Sequence, residues 1–451
     1  MACSTSPNFG LESVSSRFVR VRSYKPDPII RLAKDSAVDF IFPADENALF
    51  LGIADAASKA GLPCLGHSRN TACILEQSRA SVIGLLKPRH PAFFTDGQVV
   101  TAAPQLAGFM KTHPRVVLKP ANQTTSAAFQ QVQLLQTTGL GRKGGVAYPI
   151  WAETYSPGKD FSLHFIAVGD TTYFLGETID YPLLAKDTFK PTGGMGAIAP
   201  GSMEHSFVTN ATISRCIKFV KDFLEDPPAG LRPSGFISAQ FRKTQRGVLF
   251  TEFDCKPGTP EVVALLPTLS INLGEFLNAC LSQNNVVVRK DDQATVAWVL
   301  APKRYPDRHQ ANSSVRFPAS LMSNDIFTGP TFQRGKNICG QTSRTACVVA
   351  TAPQVAAARQ AALERVLQFA TPDTGLVFRE DVGAGISLSS ATERVRDSLA
   401  RLNNRGGKRV MLRLSPEAYE AVINFMSTSG IRTETAAINA MLLSACLNHR
   451  L

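Results

Sequence analysis

The stretch TEFDCKPGTPE, residues 251–261, sets Glu252 and Asp254 two positions apart with Lys256 close behind. In an extended chain alternate side chains share a face, so both carboxylates point the same way and the lysine follows them. Two oxygen donors at that spacing can hold magnesium, and a lysine beside them can neutralise a phosphoryl group in transfer. An exposed strand with merely solvated acids has the same local pattern, so the stretch needs company. Upstream, VVLKP closes an apolar run with Lys119, and WAETYSPGKDFS places Glu153 and Asp160 on either side of a turn, where they can read an adenine amino group and a ribose diol. A lone lysine at a strand end is usually a snorkelling surface residue. It is the ordered set that carries information. Between these stretches lies KPTGGMGAIAPGS (190–202), with three glycines in four positions around a methionine. Glycine serves where φ must be positive or where a ligand approaches the backbone closely, and a turn alone needs fewer.

Elements must hold these groups in place. VDFIFPADE (38–46) reads as a buried strand ending in an acidic loop, ALFLGIADAASKAG (48–61) as a helix stopped by glycine, and LPCLG as a second short strand. Strand, helix and strand in that order suggest a parallel unit whose ligand edge carries Asp45 and Glu46. From residue 115 strands dominate: RVVLKP, YPIWAETY, DFSLHFIAVGD and TTYFLGETID. SGFISAQFRK and GVLFTEFDCKPG alternate as an antiparallel pair about TQRG. One long helix is expected over EVVALLPTLSINLGEFLNACL and another over APQVAAARQAALERVLQF. The polar stretch SLSSATERVRDSLARLNNRGGK then has the composition of a linker.

The chain has 451 residues, enough for two or three domains, and the apolar and charged fractions of a soluble globular protein. It has no apolar run of membrane-spanning length, and MACSTSPNFG lacks the basic start and apolar core of a signal peptide, so a cytoplasmic location is expected. Nine scattered cysteines without a C-x-x-C pair argue against a disulfide frame or a structural zinc. A net charge of +12 suits a polyanionic partner such as nucleotide phosphate or nucleic acid, and equally a solvated basic surface.

Taken in order, Lys119, Glu153 with GKDFS, PTGGMGAIAP and EFDCKPGTPE resemble the ATP-grasp ligases, and specifically phosphoribosylamine–glycine ligase, whose matching stretches read approximately NTGGMGAYSP and EFNCRFGDPE. The similarity begins near Val38, includes ILEQSRA and AWVLAPKRYP, and closes at LVFREDVG, some three quarters of the chain. The resemblance implies an α/β class of fold, the α+β ATP-grasp fold. Residues 1–90 would be a truncated N-terminal α/β unit, 91–296 the ATP-grasp domain, 297–386 a small mixed domain and 387–407 a linker. It implies ATP and magnesium, with manganese as an alternative, and a carboxylate and an amine joined through an acyl phosphate. Arg79 and Lys119 would touch the ATP phosphates, Glu153 the adenine and Asp160 the ribose. Glu252 and Asp254 would hold the metal, Lys256 would steady the acyl phosphate, and Asp180 would lie near the amine. Gly193, Gly194, Met195 and Gly196 would bring bare backbone N–H groups to the substrate. The chain departs from the family in four places. The glycine-rich turn GGREHA gives way to FGLESVSSRFVRVRSYKPDP, and the lid KADGLAAGKGV to KPANQTTSAAF (119–129). Of QDHK only Asp180 survives, and arginine replaces lysine at Arg79. These departures imply a changed amine, either on a nucleotide or on a modified DNA base. A non-catalytic DNA-binding regulator that senses a nucleotide or a purine intermediate is the alternative.

The tail, KRVMLRLSPEAYEAVINFMSTSGIRTETAAINAMLLSACL (408–447), reads as a strand followed by two helices, with Ser415 as N-cap, Pro416 at the first helical position and Gly430 as stop. So small a unit cannot bury its apolar faces alone, which implies a homodimer. It resembles a ribbon-helix-helix domain over 408–451. In that arrangement Arg409, Met411 and Arg413 would face DNA while Val410, Leu412 and Leu414 hold the ribbon. A plain dimerisation tail fits the same pattern.

Overall fold

Polar and apolar residues alternate through DFSLHFIAV, GFISAQFRK and FTEFD. In the computed structural model of the chain these stretches are neighbouring antiparallel strands of one large sheet. The structure describes residues 1–121, 133–136, 149–186, 188–201, 207–282, 284, 286–306, 315–340, 343–384 and 420–425. The chain divides into two compact units, Met1–Leu388 and Ser389–Leu451. Of the second, residues 420–425 are helical and Val422 is buried, whereas Arg409, Met411 and Arg413 lie outside the described residues.

The first unit opens with β1 (Ala2–Ser4), α1 (Phe9–Val14) and β2 (Phe18–Arg20), the two strands paired in parallel. A miniature strand–helix–strand therefore stands where the glycine-rich turn is missing. Helices α2 (Pro26–Asp35), α3 (Glu46–Phe50), α4 (Ile53–Lys59), α5 (Arg69–Gln77) and α6 (Arg79–Leu86) follow. The strand expected over 38–46 is reduced to a single parallel bridge, Ile41 to Cys64. Asp45 cuts it short by capping α3, its side chain accepting the Asn47 N–H at 2.9 Å. The single helix expected over 48–61 is two, because Gly52 adopts φ +85° between them.

A four-stranded antiparallel sheet comes next, built from β3 (Gly97–Val100), β4 (Arg115–Pro120), β5 (Gln133–Gln136) and β6 (Ile150–Thr154) in the order β3-β6-β4-β5. Leu106 and Met110 of α7 (Ala103–Thr112) pack against its Val100, Val116 and Ile150. The large sheet contains β7 (Gly158–Val168), β8 (Thr171–Asp180), β9 (Gly196–Ala199), β10 (Gly235–Thr244) and β11 (Gly247–Asp254). One of its faces buries Phe161, Phe165, Phe241, Phe250 and Phe253 against Phe219 and Phe223 of α8 (Asn210–Glu225). Burial of this aromatic layer is the main reason the strands hold together.

Register decides where the acids of β11 point. Phe241 pairs with Phe250 but Gln240 with Glu252, so Thr251 is an extra residue, a bulge. The bulge lets Phe250 and Phe253 both enter the core while Glu252 and Asp254 share the opposite face. Beyond β11 the expected long helix is broken into α9 (Glu261–Leu265), a 3-10 turn Leu266–Thr268 and α10 (Leu273–Leu281). Pro267 supplies no amide donor for a continuous helix.

The remaining chain extends the same sheet. β12 (Ala294–Pro302), buried along its length, pairs with β9 on one side and β17 (Ala346–Ala352) on the other. β13 (Val315–Pro318), β15 (Thr331–Arg334) and β16 (Asn337–Gly340) form a small separate sheet. β14 (Ile326–Thr328) joins β17, β18 (Leu376–Val377) joins β12, and α11 (Val355–Phe369) packs on this end. Among the described residues no helix is long and apolar enough to cross a membrane, and the cysteines are free thiols.

Candidate active site

Arg79 opens α6 immediately after its Ser78 cap, and Lys119 and Glu153 lie on the paired strands β4 and β6. The three side chains meet: Arg79 Nη2 is 3.0 Å from Glu153 Oε2 and Lys119 Nζ 3.3 Å from Oε1. Trp151 Nε1 donates to the same carboxylate at 2.7 Å. Burial alone would raise the pKa of Glu153, but the two cations and the indole donor overcome it and hold the carboxyl down to about 2. Arg79 keeps two buried donors, Nε and Nη1, without a hydrogen-bond partner, and Thr154 Oγ1 is likewise unsatisfied. Both residues line a cavity shared with Trp151, Glu153, Arg242, Phe250 and Thr251. Buried guanidinium N–H groups left without acceptors suit an anionic ligand, so the residues present fit a nucleotide.

On the facing sheet, Gln240 Nε2 donates to Asp254 Oδ2 at 2.6 Å. Glu252 is raised by burial and by Asp254, with Lys119 and Arg79 pulling it back, so it sits within the field of the first cluster. Among the described residues no group of three or more His, Cys, Asp or Glu could hold a metal. Two carboxylates nevertheless suit magnesium, which fills its shell with water and substrate phosphate oxygens. Lys256 Nζ lies 3.8 Å from Glu46 Oε2. Burial would lower its pKa, but Asp254, Glu76 and Glu46 outweigh burial and keep the ammonium charged. Glu76, on α5, accepts the Cys255 N–H and is pushed up to about 8, first by burial and then by Asp254.

Asp160 is held by Arg242, its register partner on β10, through bonds of 2.7 and 3.1 Å. Asp180 ends β8 and accepts the hydroxyls of Ser162 and Thr178. Burial and the neighbouring Glu261 raise Asp180 well above the usual carboxylate range, and burial pushes Glu261 itself up to about 7.

The GGMG turn differs from expectation in where its amides go. Gly193 N–H is donated to Tyr305 Oη at 3.0 Å, Gly194 N–H to Thr192 Oγ1 at 3.1 Å and Met195 N–H to the Tyr181 carbonyl at 2.9 Å. Met195 is fully buried in the core, and Gly196 pairs with Trp298 in the sheet. The glycines make room for protein atoms. A Cβ on Gly193 would lie 2.8 Å from the Arg344 guanidinium, one on Gly194 2.5 Å from Pro260 and one on Gly196 2.6 Å from Val382. Arg344 Nη1 donates to the carbonyls of Gly193 and Thr259 and so ties the turn to the segment that follows Lys256.

Sequence reasoning passed over Glu76, Ser162, His164, Thr178, Ser238, Gln240, Arg242 and Arg344. Five of them, Ser162, His164, Ser238, Gln240 and Arg242, carried a signal, a polar residue at every second position of β7 and β10, which marks the face turned away from the aromatic layer. Thr124, Thr125 and Ser126, in the altered lid, lie outside the described residues.

A four-stranded sheet that carries Lys119 and Glu153, with Arg79 supplied by α6, beside a larger antiparallel sheet that carries the paired carboxylates, is the architecture of the ATP-grasp class. Within that class the chain resembles phosphoribosylamine–glycine ligases. It is 22% identical to the one from Methanosarcina barkeri over 406 residues, covering 86% of this chain and 91% of that protein. The solved phosphoribosylamine–glycine ligase of Thermotoga maritima superposes with a TM-score of 0.61 at 17% identity, over 78% of this chain and 88% of that one. The biotin carboxylase domain of the Hydrogenobacter thermophilus 2-oxoglutarate carboxylase, solved with MgADP and bicarbonate, has the same fold. Its TM-score is 0.55 at 13% identity, over 75% of this chain and 76% of that one. No protein-family model matches the chain.

Proposed function

We propose that the chain is an ATP- and magnesium-dependent ligase that joins a carboxylic acid to an amine through an acyl phosphate. The observation that carries this reading is the convergence of Arg79, Lys119 and Glu153 with Glu252 and Asp254, with two Arg79 donors left waiting for an acceptor. Arg79 and Lys119 bind the triphosphate, and Glu153 orients the base. Glu252 and Asp254 would hold the metal, whose positive charge would offset that of the phosphate oxygens. A carboxylate oxygen attacks the γ-phosphorus, ADP leaves, and Lys256 steadies the acyl phosphate. An amine nitrogen then attacks the acyl carbon, and phosphate departs with the electron pair of the C–O bond. The departures from the family at the N-terminus and after Asp180 support an amine other than the usual ribosylamine, one carried by a nucleotide or a DNA base. The test is ADP release: the wild-type chain consumes ATP when magnesium, acid and amine are all present, and Glu252→Ala or Asp254→Ala removes that consumption.

One observation favours a second reading. The lid stretch KPANQTTSAAF (119–129) lacks the glycines and the second lysine of the family's KADGLAAGKGV, which suits a chain that binds nucleotide without turning it over. ATP binding with no ADP release across a panel of small acids and amines would select this sensor reading. For either reading the pattern of the tail supports a DNA-binding, dimer-forming module with Arg409, Met411 and Arg413 on the groove side.

A further inference from the structure

Beneath Asp180 runs a chain of buried polar groups that the proposed reaction does not yet use. Thr178 Oγ1 donates to Asp180 Oδ1 at 2.8 Å, His164 Nε2 lies 2.9 Å from Thr178 Oγ1, and His164 Nδ1 lies 2.7 Å from Ser238 Oγ. His164 and Thr178 are inaccessible to solvent, and Ser238 is 1% exposed. Each link constrains the next. A hydroxyl has one proton, so when Thr178 gives its proton to Asp180 its oxygen must accept from His164, whose Nε2 then carries the hydrogen and whose Nδ1 accepts from Ser238. All three donors point toward the carboxylate, and the Ser162 hydroxyl adds a fourth from the other side.

We propose that Ser238, His164 and Thr178 are positioning residues that keep Asp180 ionised and aimed, so that Asp180 accepts the proton the amine loses as it attacks the acyl carbon. The inference rests on the ligase reading above. Asp180 faces Glu261 from α9 and Asp160 from β7, the latter neutralised by Arg242 of β10, while Lys290 acts on His164. Burial and Glu261 raise the pKa of Asp180, which makes its carboxylate a stronger base toward the amine's proton, and the hydroxyls of Ser162 and Thr178 oppose complete neutralisation. Burial, helped by Lys290, lowers His164 to about 3, so the ring stays neutral and responds to Asp180 by changing tautomer rather than charge. When Asp180 is protonated on Oδ1 the bonds reverse, and the hydrogen of the imidazole moves to Nδ1.

The experiment uses the full chain labelled with 15N-histidine, observed by NMR from pH 5 to pH 9, alongside the pH profile of ADP release for wild type, Thr178→Val and Thr178→Ser. The expected result is a neutral His164 in the Nε2–H form at high pH that passes to Nδ1–H with the midpoint of the acid limb. Thr178→Val moves that limb up by about one pH unit, and Thr178→Ser restores it. An Nδ1–H tautomer at pH 9, or an acid limb unchanged in Thr178→Val, overturns the proposal. A chain with no turnover but the Nε2–H tautomer at high pH loses the ligase reading, and with it the role of Asp180 as the amine's base, while the direction of the hydrogen bonds stands.

Discussion

Arg242 and Asp160 face one another across β10 and β7 and share two hydrogen bonds, Nε to Oδ1 at 2.7 Å and Nη2 to Oδ2 at 3.1 Å. The fork geometry matches a guanidinium to a carboxylate, and both side chains are largely buried. Removing one partner leaves the other charge uncompensated. Arg242→Met should cost about 3 kcal/mol of stability, whereas the double variant Asp160→Asn with Arg242→Met should recover most of that loss. Urea unfolding of the four proteins of the cycle measures it, and a loss in the double variant equal to the sum of the two single losses would show that the pair does not couple.

Glu153 makes stability depend on acid pH. Its folded pKa, about 2, lies below the ordinary value of 4.5, so the stabilisation is complete above pH 4.5 and disappears as the pH falls toward 2. Glu153→Gln should therefore be less stable than wild type at pH 7, by roughly 3 kcal/mol with Arg79 and Lys119 left buried without their counter-charge. The gap should close near pH 2. Thermal melts at several pH values test this, and a gap that is the same at pH 7 and pH 2.5 would place the cost in packing rather than charge.

The glycine turn predicts a contrast between two substitutions. Gly194 has φ +96° and its added Cβ would meet Pro260 at 2.5 Å, whereas Gly230 has φ +86° with nothing within 4 Å. Gly230→Ala should cost about 1 kcal/mol from backbone strain alone. Gly194→Ala should cost that plus roughly 1–3 kcal/mol for the displaced proline. Denaturant midpoints of the two variants decide it, and equal losses would mean that the Pro260 contact yields freely.

For the tail, the full chain should bind duplex DNA with an affinity that falls steeply with salt, because each neutralised phosphate releases counterions. Arg409→Ala with Arg413→Ala should weaken binding by about 2–4 kcal/mol and leave the dimer intact. Light scattering and a salt titration of binding separate the outcomes. A dimer without DNA affinity at low salt would make the tail an oligomerisation device.

Much of this arrangement was legible beforehand. The alternation in DFSLHFIAV and GFISAQFRK announced long strands, and the order from Lys119 to Lys256 announced which end of the chain meets which. What could not be read were features that depend on pairing partners. The Thr251 bulge exists only relative to Gln240 and Phe241, and without it the face of Glu252 and Asp254 would be assigned by alternation while Phe250 and Phe253 conflict. The Arg242–Asp160 fork joins residues 82 positions apart that happen to be register neighbours. The glycines of GGMG looked like ligand-facing backbone because Arg344, Pro260 and Val382, which fill the space above them, come from three other parts of the chain. Pro267 did stand in the sequence as a helix breaker, and an apolar run on either side of it concealed the break.

The central claim, activation of a carboxylate by phosphoryl transfer, is tested most directly by following oxygen. Acids labelled with 18O in the carboxylate, glycine first, are turned over with ATP, magnesium and an amine, and the phosphate released is analysed by mass spectrometry. An acyl phosphate requires one labelled oxygen per phosphate, because the carboxylate oxygen that attacks phosphorus departs with it. Phosphate free of label during turnover, or ATP bound and left intact with every acid and amine supplied, would contradict the account.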